Sequence, residues 1–259
     1  MKFDYLKFHE IVNRKIIGEF YGGLGYHLDY YFKIEDEDYR AKTDSTPEYN
    51  TPHNYYSVNN NFSTREYILS GISVNLLYDT RDNQINPYKG IYANINYRIN
   101  PTFLGSAQNS STLWLEFRTY IGLSKKTPRH LVGFWLFGDF TISGKLPYLT
   151  MPYLGEDQRA RSGRAYTNGR YRGEHIVYCE VEYRFPIWPC SHIIGGVLFV
   201  NAVTTSNNAR GVPLFGYIQP GVGIGLRIMV NKYFRTNINL DYAIGRKSQG
   251  FYFSGKETF

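Results

Sequence analysis

The chain has 259 residues, of which 42% are hydrophobic and 17% aromatic, and its mean hydropathy is −0.40. No stretch reaches the ~18 consecutive apolar residues of a membrane-spanning helix, which excludes an α-helical membrane protein. The many Tyr and Phe side chains provide too much apolar area for a disordered chain. The excess of basic residues gives a net charge of +7. It is concentrated in one segment, whereas a nucleic-acid-binding protein usually spreads its basic residues over a face or a helix.

Apolar and polar residues alternate with a period of two along most of the chain, which is the pattern of β-strands with two different faces. Eleven strands are predicted, and most have about ten residues or more, which exceeds the usual ~5–6 of a soluble sheet and suits a tilted membrane-crossing strand. In chain order, they lie near 3–12, 16–34, 66–80, 90–99, 112–123, 130–142, 175–187, 193–204, 219–230, 235–245 and 250–259. No segment has the period of an α-helix.

Each predicted strand has one apolar or aromatic face and one face of Asn, Asp, Glu, Arg, Gly and Ser. In segment 90–98, for example, Ile91 and Ile95 lie opposite Tyr92 and Asn94. A soluble sandwich would bury the apolar face over shorter strands. A transmembrane barrel turns that face to lipid and the polar face to its lumen. The sequence therefore predicts an all-β fold, a transmembrane antiparallel β-barrel.

The connections between the predicted strands alternate in length. The long polar connections lie at 35–65, 100–111, 143–174 and 205–218. Bacterial outer-membrane barrels have short periplasmic turns and longer outer loops. We therefore expect the long connections on the outer side.

No catalytic motif, such as GxSxG, HExxH or a P-loop, occurs in the chain, so no catalytic residue, metal or cofactor is predicted. His27 and Asp29 share a polar face, which is more typical of a lumenal lining than of an acid–base pair. Two cysteines, Cys179 and Cys190, lack metal-ligand spacing. They are compatible with a disulfide or with two small, semi-apolar side chains.

Several motifs carry a family resemblance. They are YDTRDN at 78–83 followed by NPYKG at 86–90, GRYR at 169–172, VEYRFPI at 181–187, GVGIGLR at 221–227 and NINLDY at 237–242. From about residue 66 to 259 the chain resembles the BamA/TamA family of outer-membrane proteins, the bacterial surface antigen barrel, most closely in the form found in Bacteroidota. The resemblance implies an integral protein of the bacterial outer membrane and no enzymatic activity.

The resemblance also bears on completeness. The family barrel has sixteen strands, of which eleven or twelve are recognisable here, and single-chain bacterial barrels have an even number. We expect residues 1–259 to be the C-terminal portion of an outer-membrane β-barrel domain, with roughly five strands before Met1 and no POTRA domain in this stretch. Closure at twelve strands is the alternative.

In the family, an outer loop folds back into the barrel and places an arginine against acidic residues of the inner wall. Here the resemblance places the tip at Arg164, Ala165 and Tyr166. The remaining loop motif is Gly169, Arg170, Tyr171 and Arg172. Arg159 and Arg161 belong to the same basic segment, and the alternative is a solvated loop whose arginines touch nothing.

The wall partners map to Glu182 and to Asn201, which stands where the family has Asp. We expect the Arg164–Glu182 pair to persist. Ala165 replaces a glycine of the family, and we expect an altered tip because alanine disfavours positive φ. Other inward carboxylates and arginines, Glu116 with Arg118 and Glu180 with Arg184, are interpreted as a lumenal charge ladder.

The chain ends on an aromatic segment whose last residue, Phe259, resembles the signal that outer-membrane barrels present to their assembly machinery. The resemblance implies a role in outer-membrane protein assembly or translocation. A structural partner barrel of a larger envelope complex is the alternative, and a small plugged pore is the third. The expected partners are outer-membrane lipid and lipopolysaccharide, together with other envelope proteins or unfolded barrel substrates, and not nucleic acid.

Overall fold

A computed structural model describes residues 1–37, 51–157, 160–188 and 193–259. In this part of the chain, eleven antiparallel strands form one sheet in which each strand pairs with its neighbours in sequence. The strands are β1 (Lys2–Ile17), β2 (Phe20–Glu35), β3 (Tyr67–Asp79), β4 (Gly90–Asn100), β5 (Ser110–Gly122), β6 (Leu131–Gly144), β7 (His175–Pro186), β8 (Ile194–Thr205), β9 (Gln219–Asn231), β10 (Thr236–Gly245) and β11 (Ser248–Ser254).

The predicted all-β class and the predicted number of strands are confirmed, with two boundaries corrected. The first hairpin turns at Gly18, whose φ is 54°, so β1 is longer than predicted. At the other end, β11 ends at Ser254 rather than continuing to residue 259. Beyond it, Glu257, Thr258 and Phe259 are buried consecutively, which the period of two does not predict.

The described residues also contain short helices, which the strand pattern did not predict. Helix α1 spans Pro52–Asn59 in the first long connection. It begins after Thr51, whose hydroxyl accepts a hydrogen bond from the Asn54 N–H at 3.2 Å and so caps the first turn. Three single 3₁₀ turns lie at Thr102–Leu104, Tyr148–Thr150 and Asn208–Arg210. No helix in the described ranges is both long and apolar enough to cross a membrane.

The two faces of the sheet differ as the alternation predicts. On the outer face, Leu24, Val74 and Ile224 leave 71%, 54% and 59% of their surface exposed. On the inner face, Glu180 and Glu182 are fully buried. A soluble protein would not expose long apolar rows while burying carboxylates. The pattern is that of an outer-membrane type of barrel, whose outer face suits contact with lipid.

The inner face is filled with protein. Its largest cluster joins Trp135, Phe137 and Tyr178 of β6 and β7 to Tyr166, in the long loop between these two strands, and to Phe259. The turn between β3 and β4 also contributes, because its residue Tyr88 packs against this cluster. In the same turn, Asp82 accepts a hydrogen bond from Arg235, in the turn between β9 and β10, at 2.7 Å.

The YDTRDN motif builds that turn. The Asp82 carboxylate accepts the N–H of Tyr88 at 3.0 Å, and the Asn83 side chain accepts those of Ile85 and Asn86 at 2.8 Å each. Local hydrogen bonds of this kind are what Asp and Asn offer in turns. The motif therefore has a structural role, which is to shape this turn.

The two edges of the sheet, β1 and β11, do not pair with each other in the described part of the chain. Closure at twelve strands is therefore not observed in these residues. The outer edge of β1 presents unpaired main-chain groups, which are costly in lipid unless another strand satisfies them.

A charge on the outer face tests the lipid assignment. Val74 lies near the middle of β3, and Val74→Arg is expected to lower the free energy of unfolding by about 2–4 kcal/mol, because an arginine near the bilayer midplane is costly. Urea unfolding of the protein in lipid vesicles measures this loss. Val74→Leu is the control and should change the stability by less than about 1.5 kcal/mol. If Val74→Arg changed the stability no more than Val74→Leu does, the assignment of the outer face to lipid would be contradicted.

Candidate functional site

The loop between β6 and β7, residues 145–174, folds onto the inner face of the sheet. It crosses itself near Leu154, whose N–H donates to the Tyr171 carbonyl at 2.9 Å and whose carbonyl accepts from the Gly169 N–H at 2.7 Å. Leu154 and the tip residue Ala165 are fully buried, and Arg164 is 3% exposed. The predicted inward loop is therefore present as a structural feature.

The guanidinium of Arg164 is surrounded by carboxylates of the wall. It donates to Glu180 on β7 at 2.6 Å and to Asp241 on β10 at 2.8 Å, and it also contacts Glu182. Its plane lies over the ring of Phe199, with 3.5 Å between the central carbon and the ring centroid. Charge-assisted bonds and stacking together fix both the position and the orientation of the group.

The carboxylates around Arg164 are shared with two further arginines of the wall. Glu182 also accepts from Arg184 Nε at 2.7 Å, and Asp241 also contacts Arg227. The result is an alternating network of positive and negative side chains across β7, β9 and β10. Buried charges need such partners because each one has lost its hydration. We call the group Arg164, Arg184, Arg227, Glu180, Glu182 and Asp241 the lumenal ion network.

Asn201 takes part differently from the acid that it replaces. Its Nδ2 donates to the main-chain carbonyl of Arg164 at 3.0 Å and to Glu180 at 3.2 Å. The amide therefore binds the loop backbone as a donor, which a carboxylate could not do. Asp241 and Glu180 supply the negative charge that Asn201 lacks.

We expected an altered tip because alanine disfavours a positive φ, and the premise that position 165 avoids one is wrong. Ala165 adopts a φ of 97°, in the region that glycine prefers. Its N–H donates to the Tyr252 hydroxyl at 2.9 Å, and its surroundings hold it in place. The tip thus keeps a positive φ at the cost of backbone strain, typically about 1–3 kcal/mol.

Glycines of the GVGIGLR motif make room for this tip. Gly221 and Gly223 lie on the inner face of β9, Gly221 beside the loop tip and Gly223 beside the Phe199 ring on which Arg164 stacks. A Cβ on Gly221 would lie 3.2 Å from the Arg164 carbonyl oxygen, and one on Gly223 would lie 2.2 Å from the Phe199 ring. The motif is needed for close approach of the loop to the wall.

Tyr166, the last tip residue, attaches the loop to the neighbouring strands. Its hydroxyl donates to the Pro220 carbonyl at 2.5 Å and accepts the Arg246 N–H at 3.1 Å. Its ring packs where Gly245 has no side chain. The tip is therefore held at β7 and β8 on one side and at β9 and β10 on the other.

The GRYR motif braces the loop and does not contribute to the lumenal ion network. Arg172 donates to the carbonyls of Tyr148 at 2.9 Å and Leu149 at 2.6 Å. Arg170 reaches the carbonyl of Arg246 at 3.3 Å. Gly169 has a φ of 75° at the turn that separates the tip from Arg170 and Arg172. The Tyr171 ring packs edge-on against Tyr166.

The predicted ladder pair Glu116–Arg118 is present, with Arg118 Nε 2.7 Å from the carboxylate. The prediction that Glu180 pairs with Arg184 is wrong. Arg184 bonds to Glu182, and Glu180 bonds to Arg164.

Cys179 is half-buried and has no disulfide partner among the described residues. Cys190 and Arg159 lie outside the described residues, so the question of a disulfide falls there too.

Sequence reasoning missed Glu180 and Asp241 as partners of Arg164. Both lie on the polar face of their strands, so the alternation already pointed them inward. Their distance from Arg164 depends on the register and curvature of strands far apart in sequence. No motif spacing reports that geometry.

The fold and its inward loop define an outer-membrane type of β-barrel, seen here as eleven strands. Residues 18–259 match the family model of the Omp85 superfamily domain, and the chain belongs to the Omp85 superfamily. Among solved structures, it is similar to BamA from Haemophilus ducreyi lacking POTRA domains 1–3, with a TM-score of 0.63 and 17% identity. The match covers 91% of this chain and 51% of that one, so the chain spans about half its length. At this identity the likeness concerns the fold. No curated protein matches the chain.

Removing the charge of Arg164 tests the lumenal ion network. Arg164→Gln is expected to lower the free energy of unfolding by about 3–5 kcal/mol, because it leaves buried carboxylates without a cation. Urea unfolding in vesicles gives the value. Arg210→Gln, an exposed arginine in an outer 3₁₀ turn, is the matched control and should stay within about 0.5 kcal/mol. A loss below about 1 kcal/mol on replacing Arg164 would mean that Arg184 and Arg227 suffice to balance the carboxylates.

The strain at the tip gives a paired prediction. Ala165→Gly relieves the positive φ and should leave stability unchanged or raise it by up to about 1 kcal/mol, since the lost methyl offsets part of the gain. Gly163→Ala should destabilise, because Gly163 has a φ of 78° and a Cβ there would lie 2.3 Å from the Leu154 side chain. Thermal unfolding in detergent micelles compares the two. A destabilising Ala165→Gly would show that the methyl group, and not the backbone, holds the tip.

Proposed function

We propose that residues 1–259 form the C-terminal portion of an integral β-barrel of the bacterial outer membrane and that this barrel acts in outer-membrane protein assembly or translocation. The observation that carries the proposal is the seating of Arg164 among Glu180, Glu182 and Asp241. Membership of the Omp85 superfamily supports the same class of role.

Asn201 and Ala165 depart from the family pattern, and neither departure prevents the seating of Arg164. The charge lost at Asn201 is supplied by Asp241 and Glu180, and Ala165 retains a positive φ. A barrel that had kept the fold without the activity would have no need to hold a strained, charged tip at a buried site. This argument favours assembly or translocation over a purely structural partner barrel.

The edge strand β11 gives further support. It has seven residues, and its pairing with β10 runs only from Asn239–Ser254 to Gly245–Ser248. The hairpin of β1 and β2, by contrast, joins strands of sixteen residues each. Residues 236–238 of β10 lie beyond this pairing, and main-chain groups without a partner at a sheet edge can pair with another strand. Such an edge is suited to receiving a strand of a client barrel.

The partners in this proposal are lipid at the apolar outer face, other envelope proteins, and unfolded barrel chains. The apolar outer face and the charged lumen support lipid and polypeptide as the surfaces in contact. None of these roles requires a metal, a cofactor or nucleic acid.

Reconstitution tests the proposal. The full-length protein in liposomes should speed the insertion of an unfolded barrel at least several-fold over empty liposomes, measured as protease-protected, heat-modifiable product. Arg164→Gln should reduce the acceleration about tenfold, since a loss of about 1.4 kcal/mol in the competent state has that effect. Arg210→Gln should retain the rate. Absence of any acceleration by the unaltered protein, together with a stable set of copurifying envelope proteins, would support the structural partner barrel instead.

A further inference from the structure

The segment that follows β11 leaves the sheet and enters the lumen. Phe251 and Phe253 on β11 face outward and are 85% and 74% exposed, whereas Glu257 and Phe259 are each 1% exposed. Residues 236–238 of β10 have no pairing partner on β11. The segment 255–259 therefore gives up main-chain pairing with β10 and takes other partners.

The aromatic side chain of this segment occupies a pocket built for a ring. The Phe259 ring lies 5.3 Å from Trp135 and 6.1 Å from Tyr120, centroid to centroid. Gly133 lies beneath it, and a Cβ there would come within 3.1 Å of the ring. The Arg184 guanidinium lies 5.4 Å from its centroid. Ring stacking and a cation at the face make this pocket selective for an aromatic group.

The acidic side chain has its own socket. The Glu257 carboxylate accepts from Arg227 Nε at 2.8 Å and from Asn237 Nδ2 at 2.6 Å. Both donors are buried, at 2% exposure. Arg227 is shared with Asp241, so the socket is connected to the lumenal ion network.

Side chains also hold the backbone of the segment, in place of a neighbouring strand. The Lys256 carbonyl accepts from Asn239 Nδ2 at 2.6 Å, and the Glu257 carbonyl accepts from Arg161 at 2.6 Å. The Phe259 carbonyl accepts from Arg184 at 3.1 Å. The Lys256 side chain, by contrast, is exposed. The contacts thus recognise an acid, an aromatic group two residues later, and the main chain around them.

We propose that this part of the wall is a binding site for a polypeptide segment with an acidic residue two positions before an aromatic one, and that residues 255–259 are its internal occupant. The site consists of Tyr120, Gly133, Trp135, Arg184, Arg227 and Asn237. Its donors belong to strands whose geometry does not depend on the occupant being covalently attached. A segment of the same chemistry on another chain competes for the same contacts.

The internal occupant is attached through Gly255, beside which there is open space for a Cβ. Residues 236–238 of β10 already lack a strand partner on β11, so a segment that displaces the internal occupant lies beside an unpaired stretch of that strand. The competing segment is therefore that of an incoming polypeptide, which binds by side chains in the lumen. This proposal concerns peptide binding alone. A failed insertion assay would not contradict it, and a failure to bind the peptide would not contradict the proposed role in insertion.

A labelled peptide tests the site in the full chain. The probe is fluorescein–Gly-Lys-Glu-Thr-Phe-amide, and binding is measured by anisotropy in detergent micelles. The receptor is the doubly substituted chain Glu257→Gln, Phe259→Ala, whose internal occupant has lost both recognised side chains. We expect this chain to bind the peptide at least tenfold more tightly than the unaltered chain, because a tethered occupant competes at an effective concentration in the millimolar range.

Two controls make the result specific to the proposed contacts. A peptide with Gln for Glu and Ala for Phe should bind at least tenfold more weakly. Adding Asn237→Ala to the receptor should weaken binding of the original peptide by about tenfold, since a hydrogen bond to a charged group is lost. Equal binding of both peptides, or equal binding to both chains, overturns the proposal.

A second measurement uses the unaltered chain and does not depend on the variants folding. Residues 257–259 are buried, and hydrogen exchange of their amides should speed up several-fold when the unlabelled peptide is present at millimolar concentration, because displacement exposes them. The control peptide should leave the rate unchanged. Unchanged exchange with the original peptide contradicts competition at this site.

Discussion

A charged arginine buried against the inner wall of the sheet must be met by carboxylates, and the arrangement of the lumen follows from that requirement. Arg164 reaches the wall because the loop folds inward, and three acidic side chains from β7 and β10 surround it. Two of those acids are shared with Arg184 and Arg227. Each buried charge is compensated by neighbours of opposite sign, so removing one member unbalances the others.

The same network connects elements that are far apart in sequence. Arg227 joins Asp241 to Glu257, and Arg184 joins Glu182 to the Phe259 carbonyl. The loop tip and the segment after β11 are therefore connected through Glu182 and Arg184 and through Asp241 and Arg227. A shift of either one changes the electrostatic environment of the other, which gives the lumen a physical route for coupling the two.

The alternation of apolar and polar side chains along the strands explains the composition of the chain. One face of each strand is apolar, and the other carries polar groups toward the lumen. The polar faces offset the apolar ones. The mean hydropathy is therefore only −0.40, although 17% of the residues are aromatic. The aromatic side chains serve both faces, since Phe251 and Phe253 face outward while Trp135, Tyr178 and Phe259 fill the lumen.

The sequence by itself determined the strand count, the two faces and the inward direction of Glu182, because the side-chain period of a strand is fixed by backbone geometry. Motifs located the loop tip at Arg164, Ala165 and Tyr166. The partners of that tip were decided only by tertiary structure, since Asp241 and Glu180 come within reach through strand register and sheet curvature. Tertiary structure also decided that Ala165 keeps a positive φ and that Phe259 lies in the lumen. Surrounding contacts outweigh local preference at both residues, and a sequence pattern records only the preference.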